Sequence, residues 1–191
     1  MGLKSLHARQ SALSNKDRQL EILSNGIFAE GNLPRFAKQI GGTLKPNKLE
    51  ILQINMGYMC NQVCAHCHVD AGPDRKEIMT QETLQLCLDM CKKHNISTLD
   101  LTGGAPEMNP HFRWFVEQAS RTQVNDLIVR SNLTILTANK TFGELPEFFA
   151  QHKVHVVSSL PFYRRNKTDR QRGDGVFDKS VKALQILNNL G

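Results

Sequence analysis

No stretch of the 191-residue chain approaches 18 uninterrupted apolar residues, which excludes a membrane-spanning helix. There is no internal repeat and no low-complexity segment. Cysteine is scarce: five residues, unevenly placed, are too few for a secreted disulfide scaffold. Acid is also short, with Asp+Glu 18 against Lys+Arg 24, a net charge of +6. That excess favours anionic ligands weakly and says nothing of fold. The first sixteen residues hold Lys4, Arg9, Lys16 and serines but no acid, a make-up shared with transit peptides. The alternative is a polar lead-in to a helix, because Asp17, Glu21, Leu20, Leu23 and Ile27 follow at once. Met1-Gly2 has Leu6 at the position where myristoylation needs Ser or Thr, so no lipid anchor is expected. What is present is the balance of a soluble globular domain, 40% hydrophobic and 22% charged.

From residue 49 the chain alternates between two periods. Leu49 to Ile54 reads as a largely apolar strand, of the kind buried in parallel sheets. A helix follows from about Thr80, its N-cap, to His94, with Lys92, Lys93 and His94 in the last turn. Then come a strand over Thr98 to Leu101, a helix over Asn109 to Arg121 with Pro110 in its first turn, and a strand over Asp126 to Arg130. A helical stretch near Leu145 to His152, a strand over Val154 to Ser158 and an amphipathic helix over Asp178 to Leu190 complete the series. Four strand–helix units imply an α/β fold with a parallel sheet and right-handed crossovers. Gly191 suits the position after a helix, and the chain stops where another strand is due, so it is expected to be cut short. The expected division is an N-terminal helical extension over 1–48 and a core domain over 49–191.

Such folds carry their chemistry at the carboxyl ends of the strands. Cys60, Cys64 and Cys67 follow the first strand, Gly103-Gly104 the second, Ser131-Asn132 the third, and Ser158-Ser159 closes the fourth. Three thiolates within eight residues wrap a compact metal centre with little closure entropy. An iron–sulfur cluster takes four thiolates, so three leave one iron open to a ligand. The structural alternative is zinc held by the three cysteines with His66 or His68. Either way the thiols point to a reducing compartment, taken as the cytoplasm.

The string Cys-Asn-Gln-Val-Cys-Ala-His-Cys, residues 60–67, resembles the CxxxCxxC motif of radical S-adenosylmethionine (SAM) enzymes. Thr102-Gly-Gly-Ala-Pro-Glu107 resembles that superfamily's glycine-rich SAM-binding segment. Asn55 to Pro73, Arg130 to Leu136 and Gln171 to Phe177 are similar to one branch, the arsenosugar biosynthesis radical SAM proteins. The resemblance runs from about Leu49 to Gly191. It implies a partial, TIM-like (β/α)6 barrel, truncated here after about four units. It implies a 4Fe–4S cluster on Cys60, Cys64 and Cys67, with SAM on the fourth iron and cleaved by one electron to methionine and a 5′-deoxyadenosyl radical. It further implies an external electron donor such as a flavodoxin or ferredoxin, and a small-molecule substrate: a trivalent methylated arsenical that receives the adenosyl group. A radical SAM enzyme for another substrate, such as a peptide, is the alternative. A zinc-stabilised binding module is the non-catalytic one. No nucleic acid or membrane partner is implied.

Within this resemblance His66 stands where an aromatic residue is common before the third cysteine, and an imidazole also packs over adenine. Ala105 stands where a glutamate often follows the glycines, and Glu107 lies two residues on. Phe162 occupies a position at which relatives carry cysteine. Gly103 and Gly104 are expected to let backbone groups approach the ligand, and Ser131, Asn132, Ser158 and Ser159 to hydrogen-bond SAM or simply end their strands. His68 and Asp70 shape the loop or support the cluster. Cys87 and Cys91, four apart in line with Leu84 and Leu88, read as a core stripe. Arg164 to Arg172 reads as a solvated loop or, through Arg172, as a clamp on an anionic ligand such as the SAM carboxylate.

Overall fold

A computed structural model describes residues 4–11, 14–24, 41, 45 and 47–191. The chain divides into two compact units, residues 6–49 and residues 1–5 with 50–191. In the smaller unit Lys16–Ser24 forms α1, as the pattern after Asp17 predicts. Ile27 and the first two residues lie outside the described residues. Among the described residues no helix is long and apolar enough to cross a membrane.

The larger unit carries β1 (Ile51–Asn55), α2 (Gln81–His94), β2 (Thr98–Thr102), α3 (Phe112–Ala119), β3 (Asp126–Ser131), α4 (Lys140–Gly143), α5 (Leu145–Gln151), β4 (His155–Ser158), α6 (Arg165–Arg172) and α7 (Val176–Asn188). The strands pair in parallel in the order β1-β2-β3-β4, with Ile54 beside Leu101 and Leu101 beside Val129. Thr80 caps α2 by accepting the Thr83 N–H, and Asn95 closes it in a left-handed conformation that satisfies the Cys91 carbonyl.

Alternation along the strands sorts the side chains. Ile54, Leu99, Leu101, Leu127 and Val129 point to one face and are buried under Leu84 and Leu88 of α2, Phe112, Phe115 and Val116 of α3, and Phe149 of α5. Phe112 meets Phe149 edge-to-face at 6.1 Å. Cys91 is fully buried in this core and Cys87 packs against it, the stripe that their spacing predicts. The opposite face carries Gln53, Asp100 and Arg130. A doubly wound sheet covers both faces with helices. Among the described residues the apolar core lies on one face, and the sheet is the wall of a partial (β/α) barrel.

Three segments differ from the sequence-based expectation. The helix expected over Asn109 to Arg121 starts only at Phe112, and Pro110 lies in the turn before it. Asn109 is spent elsewhere: its amide donates to the Met56 and Met79 carbonyls and its Oδ1 accepts the His111 N–H, which fixes a turn. Arg164 to Arg172 is not a loop. It forms α6, which lacks apolar periodicity but buries Thr168 and Arg172. Finally, α7 begins two residues before Asp178, because the Asp169 carboxylate on α6 accepts the Gly175 and Phe177 N–H groups at its start.

Candidate functional site

The loop leaving β1 doubles back on itself. Tyr58 N–H donates to Glu77 O, Gly72 N–H to Tyr58 O, and Cys60 N–H to Gly72 O, at 2.9–3.1 Å. Arg75 staples the base: its guanidinium lies 4.8 Å over the Tyr58 ring and bonds both Asp70 and Glu77. The Arg75 hydrogen bonds hold the Glu77 carboxyl down at about 2. Asp70, with a positive φ of 51°, shapes this loop, one of the two readings its sequence allows.

The Gly103-Gly104 turn packs directly on that loop. Gly104 N–H donates to Gly57 O and Ala105 N–H to Met59 O, both at 2.9 Å. Gly103 has φ +139°, and a Cβ there would lie 2.6 Å from Gly57 O. A Cβ on Gly104 would collide with the Met59 carbonyl. The glycines are therefore needed first for backbone against backbone, whereas the sequence reading explains them by approach to a ligand.

β3 reaches the same loop through Asn132. Its amide nitrogen donates to Cys60 Sγ at 3.4 Å and to Asn61 Oδ1 at 2.7 Å, while its oxygen accepts from Thr134 and Ile135. Both ends of the Asn132 side chain are thus engaged in holding the cysteine loop against the strand. α6 supplies the third support, because Ala65 N–H donates to Gln171 O at 2.9 Å.

These elements enclose a cavity of about 280 Å3. Cys60, Cys64, Cys67, His66 and His68 line it, as do Gly103, Gly104, Ser131, Asn132, Ser159 and Arg172. Burial pushes the Cys60 thiol up to about 11, with the Gln62 N–H and the Asn132 amide pulling against it. Burial also raises Cys64, and Arg172 opposes that rise. Two buried donors in this wall have no partner, Arg172 Nε and Gln62 Nε2. Orphaned buried donors of this kind fit an acceptor group in the cavity. Among the described residues, no set of three His, Cys, Asp or Glu groups is gathered as a single metal ion would require. A cluster takes each thiolate on its own iron, so three cysteines along one cavity wall fit it without meeting at a single atom.

Two expected ligand residues are not on this cavity. Ser158 lines a different depression, with Phe149, Val156 and Leu184, while Val157 and Ser159 face the cysteines. Alternation along β4 decides this, and the strand's phase is invisible until its start is known. Glu107 sits in the short 3-10 turn after β2, only 5% exposed, and is absent from the cavity lining. Neither carboxylate oxygen makes a well-formed hydrogen bond, and burial lifts the group to about 7 although the Ser131 hydroxyl beside it opposes the rise. Phe162 also lies elsewhere, stacked on Tyr163 at 4.4 Å with Lys167 over its ring. Gln62 and Arg130 are among the lining residues that the sequence does not single out. A charge at the carboxyl end of a barrel strand is the signal that marks Arg130.

Glu107 gives a measurable pH dependence. Its folded pKa lies above the ordinary carboxylate value, so the folded chain holds more protons than the unfolded one between about pH 4.5 and 7. Stability from this group therefore falls as pH rises through that window and is level above it. Urea denaturation of the unsubstituted chain should show a loss of about 2–3 kcal/mol between pH 5 and pH 8 that Glu107→Gln does not show. Equal slopes for the two proteins would refute it.

No family model matches the chain. Among curated proteins it is similar to the mycofactocin maturase MftC of Mycolicibacterium smegmatis, 28% identical over 135 residues, 70% of this chain and 33% of MftC. It is also similar to a probable GTP 3′,8-cyclase of Saccharolobus islandicus, 26% identical over 143 residues, 75% of this chain and 45% of the cyclase. Its fold matches Streptococcus suis SuiB in a crystal structure bound to S-adenosylmethionine, with a TM-score of 0.62 at 16% identity over 75% of this chain and 32% of SuiB. These homologues support the radical SAM superfamily. The chain spans about a third of the length of MftC and of SuiB. The parallel sheet sets the cysteine loop, the glycine turn and the ends of β3 and β4 on one side, where the cavity lies. These likenesses do not reach as far as the arsenosugar branch.

Proposed function

We propose that the chain is the part of a radical SAM enzyme that holds the cluster and SAM. The observation that carries this reading is the meeting of three thiols, a glycine turn and the buried, unpartnered Arg172 Nε in one cavity at the strand ends. Cys60, Cys64 and Cys67 would ligate three irons of a 4Fe–4S cluster, leaving the fourth to the amino and carboxylate groups of SAM. When bound, that pair supplies one-electron cleavage of SAM. Arg172 offers the SAM carboxylate a charge-assisted hydrogen bond. His66 supplies a flat ring on the cavity wall for adenine, and the Ser131 and Ser159 hydroxyls supply polar contacts. Asn132 keeps the Cys60 sulfur in place, and the apolar core behind the sheet keeps water from that side. The electron comes from a reduced donor such as flavodoxin or ferredoxin, in the reducing setting of the cytoplasm.

For the substrate two readings stand. Similarity of residues 55–73 and 130–136 to the arsenosugar branch favours adenosylation of a methylated trivalent arsenical. The second reading, a peptide, is favoured by the likeness to SuiB, which is also known in a structure bound to its precursor peptide SuiA. The test of the shared chemistry is anaerobic reconstitution with iron and sulfide, then electron paramagnetic resonance with and without SAM. A reduced-cluster signal that changes on adding SAM is expected. A cluster indifferent to SAM, or zinc bound in its place, would overturn the reading. Product analysis separates the substrates, since hydrogen abstraction releases 5′-deoxyadenosine and adenosylation leaves the 5′-deoxyadenosyl group bonded to the product.

A further inference from the structure

The sheet face opposite the apolar core holds a charge pair that the reading above does not use. Gln53 and Asp100 are register partners on β1 and β2, and Arg130 stands on β3. Arg130 Nε donates to Asp100 Oδ1 and Oδ2 at 2.8 and 3.0 Å, and Nη2 donates to Oδ2 at 2.8 Å. Gln53 Nε2 donates to the same Oδ2 at 2.8 Å. The Asp100 side chain is 6% exposed and that of Arg130 is 47% exposed. Desolvating a carboxylate at this position is costly, and a hydrophobic residue would cost less. What results is a guanidinium held in one orientation.

A guanidinium offers two hydrogen-bonding edges with fork geometry. Asp100 fills the Nε/Nη2 edge, and among the described residues Nη1 of the other edge has no hydrogen-bond partner. Arg130 lines the cysteine cavity and also an adjoining one of about 360 Å3, where Gln53, Asn55, His68 and Thr102 accompany it. The site is therefore a rigid, half-exposed cation on the common wall of two adjoining cavities, beside the proposed SAM site but on the sheet rather than on the cysteine loop.

We propose that the Nη1/Nη2 edge of Arg130 anchors a carboxylate of the substrate. The inference rests on the radical SAM reading for the word substrate and names its class: a molecule bearing a carboxylate, as an amino acid or peptide does. SAM carries a carboxylate too, and the experiment separates the two sources.

The test uses the unsubstituted, reconstituted, 15N-labelled chain. The Arg130 Nε–Hε signal is assigned by its loss in Arg130→Lys. Triglycine is titrated against triglycine amide, with and without saturating SAM. The expected result is a saturable shift of the Arg130 signal by triglycine with a Kd of about 1–10 mM, at least about tenfold weaker with the amide, and retained with SAM present. A shift equal for both probes, no shift, or one abolished by SAM overturns the proposal, the last by returning the subsite to the cofactor. Equal shifts of the exposed Arg164 and Arg165 signals would also overturn it, as general ionic attraction. The paramagnetic resonance experiment tests the cofactor reading separately. If SAM leaves the cluster signal unchanged while triglycine still moves Arg130, that reading fails and the carboxylate site stands.

Discussion

A Cys64→Ala chain reconstituted anaerobically is expected to retain its cluster at least about 100-fold less firmly than the unsubstituted chain, and to lose the SAM-dependent change in its resonance spectrum. Replacing an outer hydrogen-bonding partner of a metal ligand costs 10–100-fold in retention, so removing the ligand itself sets that range as a floor. Cys64 is the informative choice among the three. Cys60 is buried with Ala71 and Ala105 in a small apolar cluster, so its loss would also disturb packing. Cys64 is only half-buried, and its single side-chain hydrogen bond is a long one to Gln62 at 3.8 Å. A structural effect of the substitution is therefore small. Cys87→Ala is the control, because Cys87 packs against the main core on α2 and should affect stability without affecting iron content. Iron and sulfide content per chain, with far-ultraviolet circular dichroism to confirm folding, reads the result. Equal iron in Cys64→Ala and the unsubstituted chain would remove the basis for the cluster assignment.

Gly104→Ala is expected to be more damaging to the fold than its size suggests. The added methyl would collide with the Met59 carbonyl oxygen and lie 2.9 Å from the Met59 carbonyl carbon and the Tyr58 oxygen. All three are backbone atoms, so no side chain can turn aside to make room. Relief requires the glycine turn and the cysteine loop to separate, which breaks the Gly104–Gly57 and Ala105–Met59 hydrogen bonds together. Overpacking commonly costs 1–3 kcal/mol, and with two buried hydrogen bonds lost the expected destabilisation is about 4 kcal/mol. Because the loop carries Cys60, the variant should also lose cluster content. Gly143→Ala provides contrast, since a Cβ there meets nothing nearer than the Leu136 carbonyl oxygen at 3.9 Å. Similar urea midpoints for the two variants would contradict the close-packed turn.

The two substitutions bear on different layers of the same site. Cys64 speaks for the chemistry of a side chain and Gly104 for the geometry that presents it. The first is visible in sequence because thiolates at short spacings have few uses. The second is half-visible: the Gly-Gly pair announces an unusual backbone, but which atoms press on it depends on a loop more than forty residues earlier in the chain.

Much of the fold follows from local patterns that the chain cannot easily contradict. The alternation of strand and helix, the Thr80 cap, the Leu84, Leu88 and Cys91 stripe and the placing of cysteines after the first strand are each written within a few residues. Tertiary structure alone decided the rest. α6 has no apolar period, and it is held as a helix packed on the loop by Thr168, by the Gln171 carbonyl and by the burial of Arg172. Ser159 rather than Ser158 reaches the cavity because a one-residue change in strand phase reverses every side chain. Glu107 is raised by burial, and burial belongs to the whole packed unit rather than to its neighbours in sequence. Arg130 is oriented by Asp100, thirty residues away on the next strand. Sequence determined which reactive groups exist and, α6 apart, which elements form, because those are short-range choices. Which of them face one another was settled only when the strands aligned in register.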